Sequence, residues 1–316
     1  LSLGGVALAD GAVELDGTLG LGLDSNPAQS HSGSELAFAR FAVEALRSWS
    51  SDADSVSLSG GGWYRDYEGP NDAYRLNLLT EWSRETESGL GLWRFSLTGV
   101  AYRDALVPAD ERNEAVFGVR YDHLLSARHT LGLRIDTLWL AYRQASLPWA
   151  GRPGAGALSS TGRGGSSQET DRGRNALAVR RDDQRLRLSL DFTRYWSPGV
   201  STRLALFYAD NASPVRIEGY QRPGVDIRWR LEQNDAWRWE AGMGWSLTRY
   251  DAAPQQQERE DRQISLRLAV NHSLGYLGWR EVEVQCALDW LDSESTLEAY
   301  GFRQWVTQCG WFWSFR

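Results

Sequence analysis

Arg185, Arg187, Arg203, Arg228 and Arg230 fall in three neighbouring strand-like runs of this chain, at positions that period-two alternation places on one face. Gathered around a wet interior, such a cluster would favour anions. Carboxylates are interleaved on the same face, among them Asp122, Asp136, Asp191, Asp226 and Glu240, beside further arginines such as Arg94, Arg120 and Arg134. An unpaired charge away from water is costly, so a mixed face implies water or partners. Two uses remain open for it: a selectivity surface that screens a solute, or a salt-bridged lining that only holds a wall together.

Other chemistry is sparse. Cys286 and Cys309 are the only cysteines. A hairpin register that sets Trp290 opposite Trp305 and Val284 opposite Trp311 also sets Cys286 opposite Cys309, all on one apolar face. A cross-strand disulfide and two free thiols facing an apolar surround both fit. Two cysteines this far apart resemble no metal or haem motif. His123, His129 and His272 map to one end of the strands, and His31 lies in a loop between Ser30 and Ser32 with no third partner evident. A Ser-His hydrolase site is therefore not expected. Asp182–Asp183 and Glu258–Asp261 are acidic loop runs, expected to be solvated rather than to hold a cation. No phosphate-binding glycine loop or dinucleotide fingerprint occurs, and no cofactor is expected.

The elements that position these residues are strands. Period-two reading places fourteen, at 12–25, 34–50, 55–68, 72–86, 89–104, 112–126, 129–144, 184–197, 200–211, 223–233, 236–250, 261–274, 278–292 and 299–316. Tight turns follow the even-numbered runs, and longer segments rich in Gly, Pro and Asp follow most odd-numbered ones. The longest of these, 145–183, is rich in Gly, Ser, Arg and Asp, a composition that favours mobility or a plug. Short turns on one rim, long loops on the other and an even strand count describe a transmembrane antiparallel up-and-down β-barrel, with the bacterial outer membrane as its expected place.

The second face of each run supports this. Phe41 and Val43, Leu76 and Leu78, Leu186 to Leu190, and Ile264 to Leu268 alternate along it. Trp49, Trp82, Trp93, Trp196, Trp237 and Trp313 lie towards the tight-turn rim, and Trp290 and Trp305 towards the other. Two aromatic bands enclosing an aliphatic one are what an interface-anchored barrel requires.

The chain has 316 residues, a formal net charge of −7, 16 Trp and no lysine, so arginine supplies every side-chain cation. No apolar run approaches the length of about 18 residues needed for a membrane helix. Mean hydropathy is −0.46, which suits a wall whose lipid face uses every second residue. An acidic chain without a basic patch is not expected to bind nucleic acid. Residues 1–11, opening LSLGGVALA, read as a signal remnant or N-terminal linker, and 12–316 as a single barrel.

The segment LDSNPAQS (Leu23–Ser30) resembles the opening hairpin of barrels in the surface lipoprotein assembly modifier family and related barrels that follow tetratricopeptide repeats. The last quarter is similar too: RYDAAPQQQEREDRQISLRL approaches a strand, and DWLDSESTLEAYGFRQWVTQCGWFWSF supplies a D-S-x-S-type loop, an aromatic–Arg strand and a terminal aromatic. The resemblance implies a fourteen-stranded barrel that moves a protein or polymer to the cell surface. The expected function is thus a transport or export channel of the assembly-modifier or porin type, and the alternative is a plugged barrel that scaffolds an envelope complex. Outer-membrane lipid and lipopolysaccharide are the expected surroundings, with a protein partner or exported substrate in addition.

Overall fold

The alternation in sequence produces fourteen strands in the computed structural model, which describes residues 9–146, 179–252, 258–275 and 281–315. The leader reading for residues 1–8 and the plug reading for most of 145–183 lie outside the described residues. The strands are β1 (Ala9–Asp24), β2 (Leu36–Ser50), β3 (Asp54–Tyr67), β4 (Ala73–Glu85), β5 (Gly91–Asp104), β6 (Arg112–Ser126) and β7 (His129–Ser146). The second half holds β8 (Val179–Ser197), β9 (Val200–Ala212), β10 (Tyr220–Glu232), β11 (Trp237–Tyr250), β12 (Glu260–Ser273), β13 (Val282–Ser295) and β14 (Phe302–Phe315). Each pairs antiparallel with its sequence neighbours, and β1 pairs with β14, so the sheet is a closed barrel.

The connections sort by rim only in part: those after even strands run from two residues, Ala127–Arg128 and Pro198–Gly199, to five at 86–90, but the one after β12 has eight, 274–281, where a tight turn was expected, because β13 starts at Val282 rather than 278. Their caps are local: Asn234 Oδ1 accepts from the backbone N–H groups of Ala236 and Trp237, each at 2.9 Å, an Asx turn that starts β11. The odd-strand connections 105–111, 213–219 and 296–301 each contain a single 3-10 turn. Asp104 Oδ1 anchors the first of these by accepting from Leu106 N at 3.0 Å and Val107 N at 2.9 Å.

Most strand ends fall within two or three residues of the expected ones. β1 starts earlier, at Ala9, and β8 earlier still, at Val179 rather than 184. The run Arg180–Asp183 reads as loop because it is all charge. In the barrel, Arg181 and Asp183 both face inward and neutralise each other at 2.8 Å, so the strand continues through them. A register shift on β7 between Ala141 and Ala145 carries the pairing past this point.

The apolar set faces outward. Leu78 is 57% exposed and Leu268 also 57%, values that only lipid makes favourable. Cross-strand partners keep one face throughout: Leu188 pairs with Ile135 and with Tyr208, and Leu266 with Met243 and with Trp290. The expected hairpin register also appears, with Cys286 opposite Cys309, Trp290 opposite Trp305 and Val284 opposite Trp311. The structure joins Cys286 and Cys309 as a disulfide, with their Cα atoms 4.1 Å apart.

Two measurements test this arrangement. Leu78→Arg, at mid-strand on the lipid face, should lower the unfolding free energy of the refolded barrel by about 2–4 kcal/mol in denaturant titration. Asn77→Arg, facing the lumen, should change it by about 1 kcal/mol or less. Alkylation of the denatured but unreduced protein should label neither cysteine, and prior reduction should expose both.

Candidate channel lumen

The inward face builds three zones, the first a chain of ion pairs across the wall of β5 to β9. Arg94 holds Asp122 at 2.6 Å, Asp122 holds Arg120 at 2.6 Å, Arg120 reaches Asp191 at 3.0 Å, and Asp191 holds Arg203 at 2.9 Å. Arg120 is on β6 and Asp191 on β8, so its side chain must cross β7. Gly132 makes that possible. A Cβ there would lie 2.5 Å from Asp191 Oδ2 and 2.6 Å from Arg120 Nη2. The glycine is required by what passes over it.

A second regularity is an Arg and a carboxylate two residues apart on one strand face. Arg112 and Glu114 are 2.7 Å apart, Arg134 and Asp136 are 2.8 Å apart, and Arg120–Asp122 and Arg181–Asp183 repeat the spacing. Arg259, in the connection just before β12, and Asp261 repeat the spacing again, with two hydrogen bonds. Charge-assisted pairs of this kind are strong and directional. The Arg-x-Asp/Glu spacing is visible in the sequence and was the signal that could have identified them.

The second zone is the mouth at the long-loop rim, where arginines stack on aromatic rings. Arg181 lies 3.9 Å from the Tyr142 ring centroid and pairs with Glu218 at 3.2 Å. Arg259 lies 3.9 Å from the Tyr250 ring and 3.7 Å from the Tyr300 ring. Arg65 packs over Phe38 at 4.5 Å, and its partner Tyr67 donates to Asp24 at 3.4 Å. Glu218, Arg259 and Tyr300 come from three different connections, so the mouth ties the loops to the wall. Burial alone would lower the Arg259 guanidinium, but Asp261 and Tyr250 outweigh it and hold it above its ordinary range. Burial raises the Tyr300 phenol. Asp183 and Asp261 are buried here, which corrects the expectation of solvated acidic runs: strand alternation turns one carboxylate of each run inward to meet an arginine.

The third zone is open space below the mouth. A cavity of about 800 Å³ lies against β8 to β14 and is lined by Arg203, Arg228, Arg230, Glu240, Arg267 and Asp289, among others. A neighbouring cavity of about 310 Å³ is lined by Arg134, Asp136, Arg187, Arg203, Phe207, Asp226 and Arg228, among others. Four of the five arginines expected to cluster therefore border these spaces. Arg185 does not. It lies 5.5 Å from the Tyr220 ring and 3.4 Å from Asn211 Oδ1, in the mouth zone. Within the cluster Arg203 is paired with Asp191, and Arg230 with Glu240 at 2.7 Å. Arg187 lies 4.6 Å from the Phe207 ring centroid, and neither it nor Arg228 forms an ion pair with a described carboxylate.

The eight tryptophans expected to form the girdle all fall on the outward face, Trp82 stacked on Phe95 at 5.2 Å and Trp237 tilted on His272 at 4.1 Å. Arg194 lies over Trp196 at 3.7 Å and Arg47 over Trp49 at 5.1 Å. Trp229, Trp239 and Trp245 are also outward and exposed, so the aromatic surface extends beyond the two expected bands. His129 meets Ser126 at 2.8 Å in the β6–β7 turn. His31, for which no partner was evident in the sequence, lies 4.0 Å from Glu298, both exposed. Among the described residues no group of His, Cys, Asp and Glu side chains is placed to hold a metal ion.

No protein-family model matches the sequence, and no curated protein matches it. Solved structures do match. A monoaromatic hydrocarbon channel, CymD, is 9% identical with a TM-score of 0.50, over 98% of this chain and 90% of that one. Outer-membrane expressed OmpT of Vibrio cholerae is 10% identical with a TM-score of 0.48, over 98% and 99%. An outer membrane channel from Pseudomonas putida F1 is 11% identical with a TM-score of 0.44, over 98% and 97%. At these identities the likeness concerns the fold alone. The fold is that of a bacterial outer-membrane barrel, and the lipid-facing band fits that location.

The ion-pair chain predicts a stability effect. Asp191→Asn leaves Arg120 and Arg203 short of a counter-charge and should destabilise the refolded barrel by about 2 kcal/mol, below the full buried-pair penalty because Arg203 touches water. Gly132→Ala, which obstructs the same crossing, should do likewise. Tryptophan fluorescence during denaturant unfolding reads both.

Proposed function

We propose that this protein is a channel through which small solutes cross the bacterial outer membrane. The observation that carries the proposal is the space of about 800 Å³ in the lumen, bordered by both ionised and apolar residues, with Arg203, Asp226, Arg228, Arg230, Glu240, Arg267 and Asp289 among them. Charges around such a space need water, and a wet path with both signs on its wall suits small hydrophilic solutes. The mouth zone sets how open the path is. Its Arg–Tyr stacks and the Arg181–Glu218 pair tie three connections to the wall at the long-loop rim, and the proposal puts the gate there.

The mouth also favours a second reading, a plugged barrel that scaffolds an envelope complex. An export role of the assembly-modifier type is the narrower form of the channel proposal; it is supported by the short motifs at Leu23–Ser30 and in the last quarter, and it requires the mouth to part. The proposed surroundings are outer-membrane lipid, with lipopolysaccharide at the long-loop rim, and the export and scaffold readings add a protein partner. Nucleic acid has no place in the proposal, nor has an enzymatic step.

Planar-bilayer recording separates these readings. The whole chain should give steady conductance steps. Arg259→Gln and Glu218→Gln, which loosen the mouth, should each raise conductance or open probability severalfold, and deletion of 150–180 should not abolish it. Silence from the whole chain and from all three variants would overturn the channel and favour the scaffold.

A further inference from the structure

The smaller cavity has a surplus of positive charge. Among its lining groups Arg134 is taken by Asp136 at 2.8 Å, and Arg203 shares Asp191, which sits behind it at 2.9 Å, with Arg120. What remains is Arg187, Arg228 and one carboxylate, Asp226, none of them in an ion pair with a described residue. The lining therefore carries a surplus of positive charge, Arg134, Arg187, Arg203 and Arg228 against Asp136 and Asp226. A guanidinium presents donors in a planar fork that matches a carboxylate edge.

The cavity wall is built to hold one of these forks in place. Gly224 on β10 leaves room for the Phe207 ring, which a Cβ at that position would overlap. The ring in turn carries the Arg187 guanidinium at 4.6 Å from its centroid. Stacking fixes the plane of the guanidinium, and none of its donors is spent on a described hydrogen-bond acceptor. Arg228 lies directly opposite Arg203 in the β9–β10 register, two positions from the Ala205–Asp226 pair. Phe207 and Ala205 supply an apolar surface beside the charges.

We infer that this cavity is a binding site for a small organic monocarboxylate, with Arg187 and Arg228 taking the carboxylate and Phe207 and Ala205 covering the carbon skeleton. The inference rests on the solute-channel reading and names its substrate class. The surplus of positive charge suits an anion, and the apolar surface beside it suits one with a carbon skeleton. Inorganic phosphate has no carbon skeleton for Phe207 and Ala205 to cover. Both arginines are exposed to lumen water, so binding is weak enough for release, as a conduction site requires.

Isothermal titration of the refolded full chain with benzoate tests the site, with benzylamine and inorganic phosphate as comparators. Benzoate should bind, benzylamine should not, and phosphate should bind at least tenfold more weakly than benzoate. Arg187→Gln/Arg228→Gln should weaken benzoate at least tenfold, Arg187→Lys/Arg228→Lys should weaken it less, and Arg128→Gln, at the tight-turn rim, should leave it unchanged. The lysine pair keeps the charge and guards against a folding defect in the glutamine pair. Absence of benzoate binding by the native chain, benzoate binding unchanged in the glutamine pair, or phosphate binding as tight as benzoate would each overturn the proposal. Bilayer recording of the same proteins separates the two levels. Conductance that benzoate does not block removes this site and keeps the channel, whereas benzoate binding without conductance removes the channel and keeps the site.

Discussion

The structure depends on one seam, the antiparallel pairing of β1 with β14 from Leu15 opposite Phe315 to Asp24 opposite Val306. In hydrocarbon an unpaired backbone N–H or C=O costs several kcal/mol, so a sheet in lipid must close on itself. Closure then fixes every other choice. Each residue faces either lipid or lumen, and a slip of one residue in any strand would exchange the two. The seam is reinforced where it meets the mouth: Ser25 N donates to Trp305 O at 2.9 Å, Gln304 Nε2 to Asp24 Oδ1 at 2.8 Å, and Asn26 Nδ2 to Arg303 O at 3.0 Å.

Within the closed wall, the charges divide by height. At the mouth, arginines are buried against tyrosines and paired with carboxylates, and the result is cohesive. Across β5 to β9 the Arg94–Asp122–Arg120–Asp191–Arg203 chain joins non-adjacent strands and stiffens one side of the wall. Against β8 to β14 the pairs Arg230–Glu240, Arg238–Glu283 and Arg267–Asp289 each join adjacent or nearby strands, and space is left beside them. The two uses of a mixed charged face, structural lining and solute surface, are thus both present, in different parts of one lumen.

Much of this was legible in the sequence. Strand number, the two faces and the Cys286–Cys309 register follow from period-two alternation, a local property. The placement of the arginines was only partly legible. Arg185 and Arg187 are equivalent in sequence, two residues apart on one face, yet one stacks near Tyr220 at the mouth and the other on Phe207 beside the cavity. Which carboxylate each arginine meets depends on strand tilt and on a glycine in the strand between, and neither is written in any single strand. The Asp182–Asp183 run misled for the opposite reason: its composition signals a loop, whereas its alternation, with Asp183 inward beside Arg181, continues β8.

The absence of lysine has a consequence for the lumen as an electrical object. Every cationic side chain lining it is a guanidinium, which stays protonated at any pH a cell meets, while its anions are carboxylates that acid can neutralise. The lumen can therefore change its charge in one direction only. Acidification makes it more positive, and alkali within the physiological range leaves it as it is. Amine-directed reagents find no side chain to modify in it. The permanent part of its field was set when arginine was chosen over lysine, and only the acidic part responds to the environment.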